Sequence, residues 1–365
     1  MEIAEPVAAP PVVKTKQHFE ILDGLRGIAA IAVVIFHFME FVVPDYNKSF
    51  IAHAYLAVDF FFCLSGFVIA YAYDSKLKSL GLPLFFKLRL IRLHPLVVIG
   101  SVIGLLAFVF DPFSNLYATY GIGQTLLMFL SSSLLIPYPL IHERYFNLFH
   151  LNPPTWSLFW EYIANIVYAL VLVKIRNKGL WLLTVVAAIL LCYEASTAKC
   201  LAVGYGGDNF GGGAIRVFYS FLAGILVYRS NFIIKSRLGF LVIGLMLLIV
   251  FLVPFSDETN HITDPLIVIF YFPFLVALGA GAGLHTRFAK ICKFSGDISY
   301  PLYVIHYPFL WLFLSYLEAK KPSMGQMITM IPVGVILLTG LAYVIMICLD
   351  IPIRKHLKNG LRKGQ

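Results

Sequence analysis

Apolar runs of about the length that crosses a bilayer succeed one another along the chain, at roughly 26–43, 54–73, 93–110, 120–140, 155–173, 179–194, 214–228, 238–255, 264–284, 298–316 and 328–349. A hydrocarbon core of ~30 Å takes ~20 helical residues to cross. Inside it every backbone polar group must find its partner within the protein, which leaves helices as the element for such runs. Hydrophobic residues make up 60% of the 365 and charged residues 13%, with a mean hydropathy of +0.84, whereas soluble domains are about a quarter charged. The chain is read as an all-α polytopic membrane protein.

The basic residues select the topology. If 120–140 stays in or re-enters the outer face, ten spans remain with both termini cytoplasmic, and 22 of the 28 Lys and Arg fall on the inner side. If it spans, the split becomes 13 inside and 15 outside. The positive-inside rule favours the first arrangement, and the Ser- and Pro-broken SSSLLIPYPL of that segment suits a re-entrant piece covered by protein. The expectation is therefore about ten transmembrane helices plus a partial or re-entrant outer-face segment at 120–140. They form a membrane domain over 19–352, between a disordered cytoplasmic tail at 1–18 and a basic cytoplasmic tail at 353–365. Clustering in short loops also accounts for the formal charge of +9 without a nucleic-acid groove. Cys63, Cys192, Cys200, Cys292 and Cys348 have no metal-ligand spacing and read as small packing residues, and no metal is expected.

Polar residues inside the spans mark the candidate site. In DGLRGIAAIAVVIFHF, Arg26 and His37 are eleven residues apart, which is three helical turns plus ~20°, so both lie on one face about 16 Å apart along the axis. That places Arg26 at the membrane surface and His37 near the midplane, where an ionisable residue is expected to face the bundle interior. The second span, VDFFFCLSGFVIAYAY, brings in Asp59 near the outer face and Ser65 and Gly66 near its middle, where small residues permit close packing. In RLIRLHP, Arg89 and Arg92 project from one side of a helix. They are either a plain topology signal or an anion site for a phosphate-rich ligand, which guanidinium forks match well. In NPPTWSLFWEY, Trp156 suits an interfacial belt, Ser157 follows it, and Glu161 lies about two turns into the next span. Such a carboxylate is either functional or the partner of a buried cation. Later, GDISYPLYVIHYPF contributes Tyr300, Tyr303 and His306, and Asp350 in LDIPIRKH is placed to pair with Arg26 or to cap the bundle.

The segments LDGLRGIAAIAVVIFHF, VDFFFCLSGFVIA, RLIRLHP, PPTWSLFWEY and ISYPLYVIHYPF, in this order and spacing, closely resemble acyltransferase family 3, the multispan bacterial O-acyltransferases. The resemblance runs from residue 20 to about 352. It implies ten spans, an acyl-coenzyme A donor used from the cytoplasm, and transfer to a hydroxyl, commonly on a sugar of a surface glycan or on a secreted small molecule. It also implies that Arg26 and His37 are essential and that Arg89 and Arg92 help to hold the donor. Two departures matter. The chain ends at Gln365 without the SGNH-type hydrolase domain that some members append, which points to a one-step transferase, and Asp350 stands where the resemblance leads one to expect Glu.

Transfer from a thioester to an alcohol needs a base for the hydroxyl, donors for the developing oxyanion and a site for the coenzyme's phosphates. His37 is read as that base, or as a nucleophile that carries the acyl group itself. Arg26, Arg89 and Arg92 would hold acetyl-coenzyme A at the inner face, with acetyl the expected group. Glu161 would approach from the outer side to orient the acceptor or His37, and Asp59, Ser65, Trp156, Ser157, Tyr300 and His306 would support substrate or structure. The partners expected are acyl-coenzyme A, a carbohydrate or small-molecule hydroxyl acceptor, and membrane lipid. The rival class is a transporter with His37, Glu161, Asp59 and His306 along a proton or substrate pathway, a reading in which the doubled arginine has no role.

Overall fold

The computed structural model describes residues 18–363 apart from Leu140. The tail expected at 1–18 lies outside the described residues except for His18. In chain order the helices are α1 Glu20–Val42, α2 Ala57–Tyr73, α3 Leu77–Leu80, α4 Leu82–Val109, α5 Leu116–Leu134, the short turn α6 Glu143–Phe146, α7 Thr155–Leu170, α8 Asn177–Ala198, α9 Phe210–Arg229, α10 Phe240–Phe251, α11 Asn260–Leu266, α12 Phe272–Gly281, α13 Thr286–Lys320, α14 Met324–Ile345 and α15 Ile351–Lys363. No strand occurs among the described residues.

Eight helical segments among the described residues are long and apolar enough to cross a membrane, and the protein is an all-α polytopic membrane protein. Two more of the expected spans are also helical. The helix α10 has 12 residues, about 18 Å of length, and α13 has 35 with Pro301 and Pro308 inside it. The basic segment expected as a tail after 353 continues the last span as α15.

Two helix pairs in close contact form the frame. The helix α1 runs parallel along α13, with Arg26 beside Ser299, His37 beside His306 and Phe38 beside Phe313. Gly27 allows this approach, because a Cβ there would sit 1.7 Å from Ser295 Oγ. The second pair, α2 and α9, meets through Gly66 and Gly224. A Cβ on the first would lie 2.1 Å from the Phe221 carbonyl oxygen, and one on the second 1.9 Å from that of Cys63. In lipid no hydrophobic drive pushes helices together, so small residues that bring backbones into contact carry the packing.

The segment expected at 120–140 forms most of α5, which is not one of the eight long apolar helices. It bends at Gly121 (φ +67°, ψ 178°) and packs with Met128 against Phe108 of α4 in a small separate core. The chain enters the protein interior just after it. Residues 147–154 are non-helical yet almost fully buried, and they lie against α4, where a Cβ on Gly104 would meet the Leu151 carbonyl oxygen at 2.4 Å. Asn152 Nδ2 donates to the Val304 carbonyl at 2.9 Å and the Trp311 indole donates to that of His150 at 2.8 Å. Irregular backbone at depth is tolerated in this way, covered and hydrogen-bonded by protein.

Candidate active site

The loops at 74–81, 171–176 and 230–239, together with the start of α13 (Arg287, Lys290 and Lys293), lie at one end of the bundle and carry Lys and Arg; this is the basic end. Toward it, α1, α2, α4, α7, α13 and the α14–α15 junction surround a cavity of about 260 Å³. Arg26, Ser65, Arg89, Arg92, Ser157, Glu161 and Tyr300, seven of the residues singled out in the sequence, all line it. Tyr303, Asp297, Ser299, Asp350 and Arg354 complete its polar wall.

Each cation in that wall is held differently. Arg26 donates through Nε to Ser299 Oγ at 2.8 Å and through Nη2 to the Gly296 carbonyl at 2.6 Å, with Asp23 at 3.4 Å. Its guanidinium is thereby fixed in the α1–α13 seam. Arg89 reaches Glu161 Oε1 at 3.0 Å, and the same oxygen accepts from Ser65 Oγ at 3.1 Å. Glu161 is thus the partner of a cavity arginine. Arg92 forms no ion pair among the described residues and is exposed. Asp350, considered above as a partner of Arg26, pairs instead with Arg354 at 2.5 Å. Opposite the cations, Tyr303 OH and Ser157 Oγ are 2.8 Å apart, and Ser157 donates to the Pro154 carbonyl. Tyr300 OH donates to the Leu93 carbonyl at 2.7 Å.

His37 lies farther along α1, outside the cavity's lining. Its Nδ1 is hydrogen-bonded to Glu40 Oε2, one turn on. Its ring stacks on His306 with centroids 5.4 Å apart and meets the edge of Tyr307 at 4.8 Å. The His37 and Glu40 side chains keep 21% and 17% of their surface exposed. A carboxylate on Nδ1 fixes the tautomer that leaves the Nε2 lone pair free, the arrangement of a general base. His306 is fully buried, and its Nδ1 donates to the Tyr303 carbonyl at 2.7 Å.

Two of the selected residues lie apart from both groups. Asp59 is fully buried and accepts from Arg216 Nη2 at 2.6 Å, while Arg216 also donates to the carbonyls of Val203 and Tyr55. Trp156 covers that guanidinium from 5.4 Å. This knot ties α2, α9 and the 200–206 loop together.

An acyltransferase domain family matches residues 19–349. The chain belongs to the acyltransferase-3 family. Among its relatives, this acyltransferase is 34% identical over 189 residues to protein 2 in the picA locus of Rhizobium radiobacter, covering 49% of the chain and 96% of that protein. It is 24% identical over 339 residues to the peptidoglycan O-acetyltransferase OatA of Listeria monocytogenes serovar 1/2a, covering 86% of the chain and 53% of OatA, so the match spans about half the length of that relative. No solved structure gives a significant match.

Sequence reasoning on the acyltransferase missed Glu40 and Arg354. The signal for Glu40 is its i,i+3 spacing from His37, which puts both on one helical face. Arg354 stands four residues after Asp350, the spacing of a helical ion pair, but it sits in a segment that reads as a basic tail.

Proposed function

We propose that the protein is an integral membrane O-acyltransferase that takes an acyl group, acetyl in the first instance, from cytoplasmic acyl-coenzyme A and delivers it to a hydroxyl of a carbohydrate or similar acceptor. The basic end faces the cytoplasm in this reading, in accord with the positive-inside rule. The observation that carries it is the division of labour along α1: Arg26 stands in an arginine-lined cavity at the basic end, and the His37–Glu40 pair lies about 16 Å farther along the same helix. Arginine forks suit the phosphates of the donor, and the length of pantetheine suits a thioester delivered deeper into the bundle.

In the chemical step His37 Nε2 takes the proton of the acceptor hydroxyl as its oxygen attacks the thioester carbonyl. The carbon–sulfur bond breaks, the coenzyme thiolate leaves, and the imidazolium returns the proton to that sulfur. Glu40 stabilises the transient imidazolium and keeps Nε2 as the working nitrogen. General base catalysis of this kind contributes on the order of 10²–10⁴ in rate. The test is coenzyme thiol release from acetyl-coenzyme A by the purified protein in lipid, with and without a glycan acceptor. Acceptor-dependent release supports the reading, and acceptor-independent solute movement without thiol release opposes it.

A further inference from the structure

The cavity holds a cation from a part of the chain outside the family match, which stops at 349. Arg354 projects into it from α15, directly after a π-helical turn at Met346–Asp350. A π-turn inserts one residue and rotates the positions that follow, a device common at functional sites. Here Met346, Asp350, Ile351 and Arg354 all line the cavity.

The pair that Arg354 makes is half satisfied. Its Nη2 is 2.5 Å from Asp350 Oδ2, but Arg354 Nε and Asp350 Oδ1 are both buried without a hydrogen-bond partner. The Asp350 side chain is 2% exposed and that of Arg354 28%. A helical i,i+4 pair on a solvated surface leaves its spare groups to water, whereas these two atoms are buried in side chains that line the cavity. Arg92 on α4 lines the same cavity without an ion pair among the described residues, and α15 packs against α4. Arg92 and Lys358 are both within electrostatic reach of Asp350.

We propose that Arg354 binds the phosphate groups of the donor together with Arg92, and that Asp350 holds the Arg354 guanidinium in place until phosphate takes it over. The ligand class is a nucleotide carrying several phosphates, since one oxyanion cannot occupy both forks as well as a diphosphate does. The assignment rests on the reading of a coenzyme A thioester as donor.

The experiment is calorimetric titration of coenzyme A into the full-length protein in lipid nanodiscs, for the wild type, Arg354→Gln, Arg354→Lys and Asp350→Asn, with acyl transfer measured alongside. Arg354→Gln is expected to weaken coenzyme A binding roughly tenfold, the loss of one hydrogen-bonded charged contact, and to raise the KM for acetyl-coenzyme A at unchanged kcat. Arg354→Lys recovers part of the affinity. Asp350→Asn, which removes the competing carboxylate, tightens binding several-fold, a sign that loss of helix stability cannot produce. Equal affinity in the wild type and Arg354→Gln overturns the assignment while the donor reading stands. Absence of coenzyme A binding by the wild type at millimolar concentration overturns both. If Arg354→Gln fails to fold, Asp350→Asn decides alone, and unchanged or weaker binding there overturns the assignment.

Discussion

Glu40 stands one helical turn beyond His37 and hydrogen-bonds its Nδ1, so the nitrogen left for chemistry is Nε2. Replacing Glu40 by Gln keeps the size and loses the charge that supports an imidazolium. The expected outcome is a fall in kcat of roughly 10–100-fold, within the range attributed to base catalysis, with the KM for the donor unchanged. Steady-state kinetics with acetyl-coenzyme A and a saturating acceptor measure both constants.

How much of this was legible in the sequence depends on range. Arg26, His37, Arg89 and Arg92 stood out because one helix and a fixed rise relate each pair, and depth in an apolar run marks a charge as unusual. The partners were not legible, because they are set by crossings between helices far apart in sequence. Glu161 reads either as a group that orients the acceptor or His37 or as the partner of a buried cation, and which cation, Arg89 72 residues before it, is set by the packing; Asp350, considered for Arg26 or as a cap of the bundle, lies on Arg354. The interior loop at 147–154 escapes hydropathy because Asn147, His150, Asn152 and two prolines interrupt Leu148, Phe149 and Leu151, and the contacts of His150, Asn152 and the glycines of α4 reveal that it fits inside.

Arg92 and Glu161 line one cavity and differ in their partners. Arg92→Gln removes a cation with no ion pair among the described residues, so it should raise the donor KM by about tenfold or more, given about 1.5–3 kcal/mol for a hydrogen bond to a charged group. The melting temperature in lipid should stay unchanged. Glu161→Gln strands Arg89 and should lower the melting temperature as well as activity, which differential scanning fluorimetry and kinetics together separate.

The Asp59–Arg216 pair is structural on this account. Asp59→Asn leaves a buried guanidinium without its charge partner and should cost about 3–5 kcal/mol of stability. The double variant Asp59→Leu, Arg216→Met should lose less than the two singles summed. Unfolding measured in mild detergent for the four proteins gives the coupling directly, and the protein that remains folded should retain its donor KM.

Gly66→Ala places a methyl where the Phe221 carbonyl oxygen would be 2.1 Å away. Separating α2 from α9 to relieve that contact should destabilise by about 1–3 kcal/mol, the usual range for overpacking. Gly340→Ala, with nothing within 4 Å of the added carbon, is the control and should be neutral or slightly stabilising through helix propensity. Thermal unfolding of the two variants side by side makes the comparison.

The most direct measurement is thiol release from acetyl-coenzyme A by the purified protein in lipid, wild type beside His37→Ala, with a glycan extract as acceptor. The account predicts release that depends on the acceptor and falls by a factor on the order of 10²–10⁴ in the variant, with coenzyme A still bound at the arginine cavity. Acceptor-dependent release at an undiminished rate in His37→Ala would contradict it.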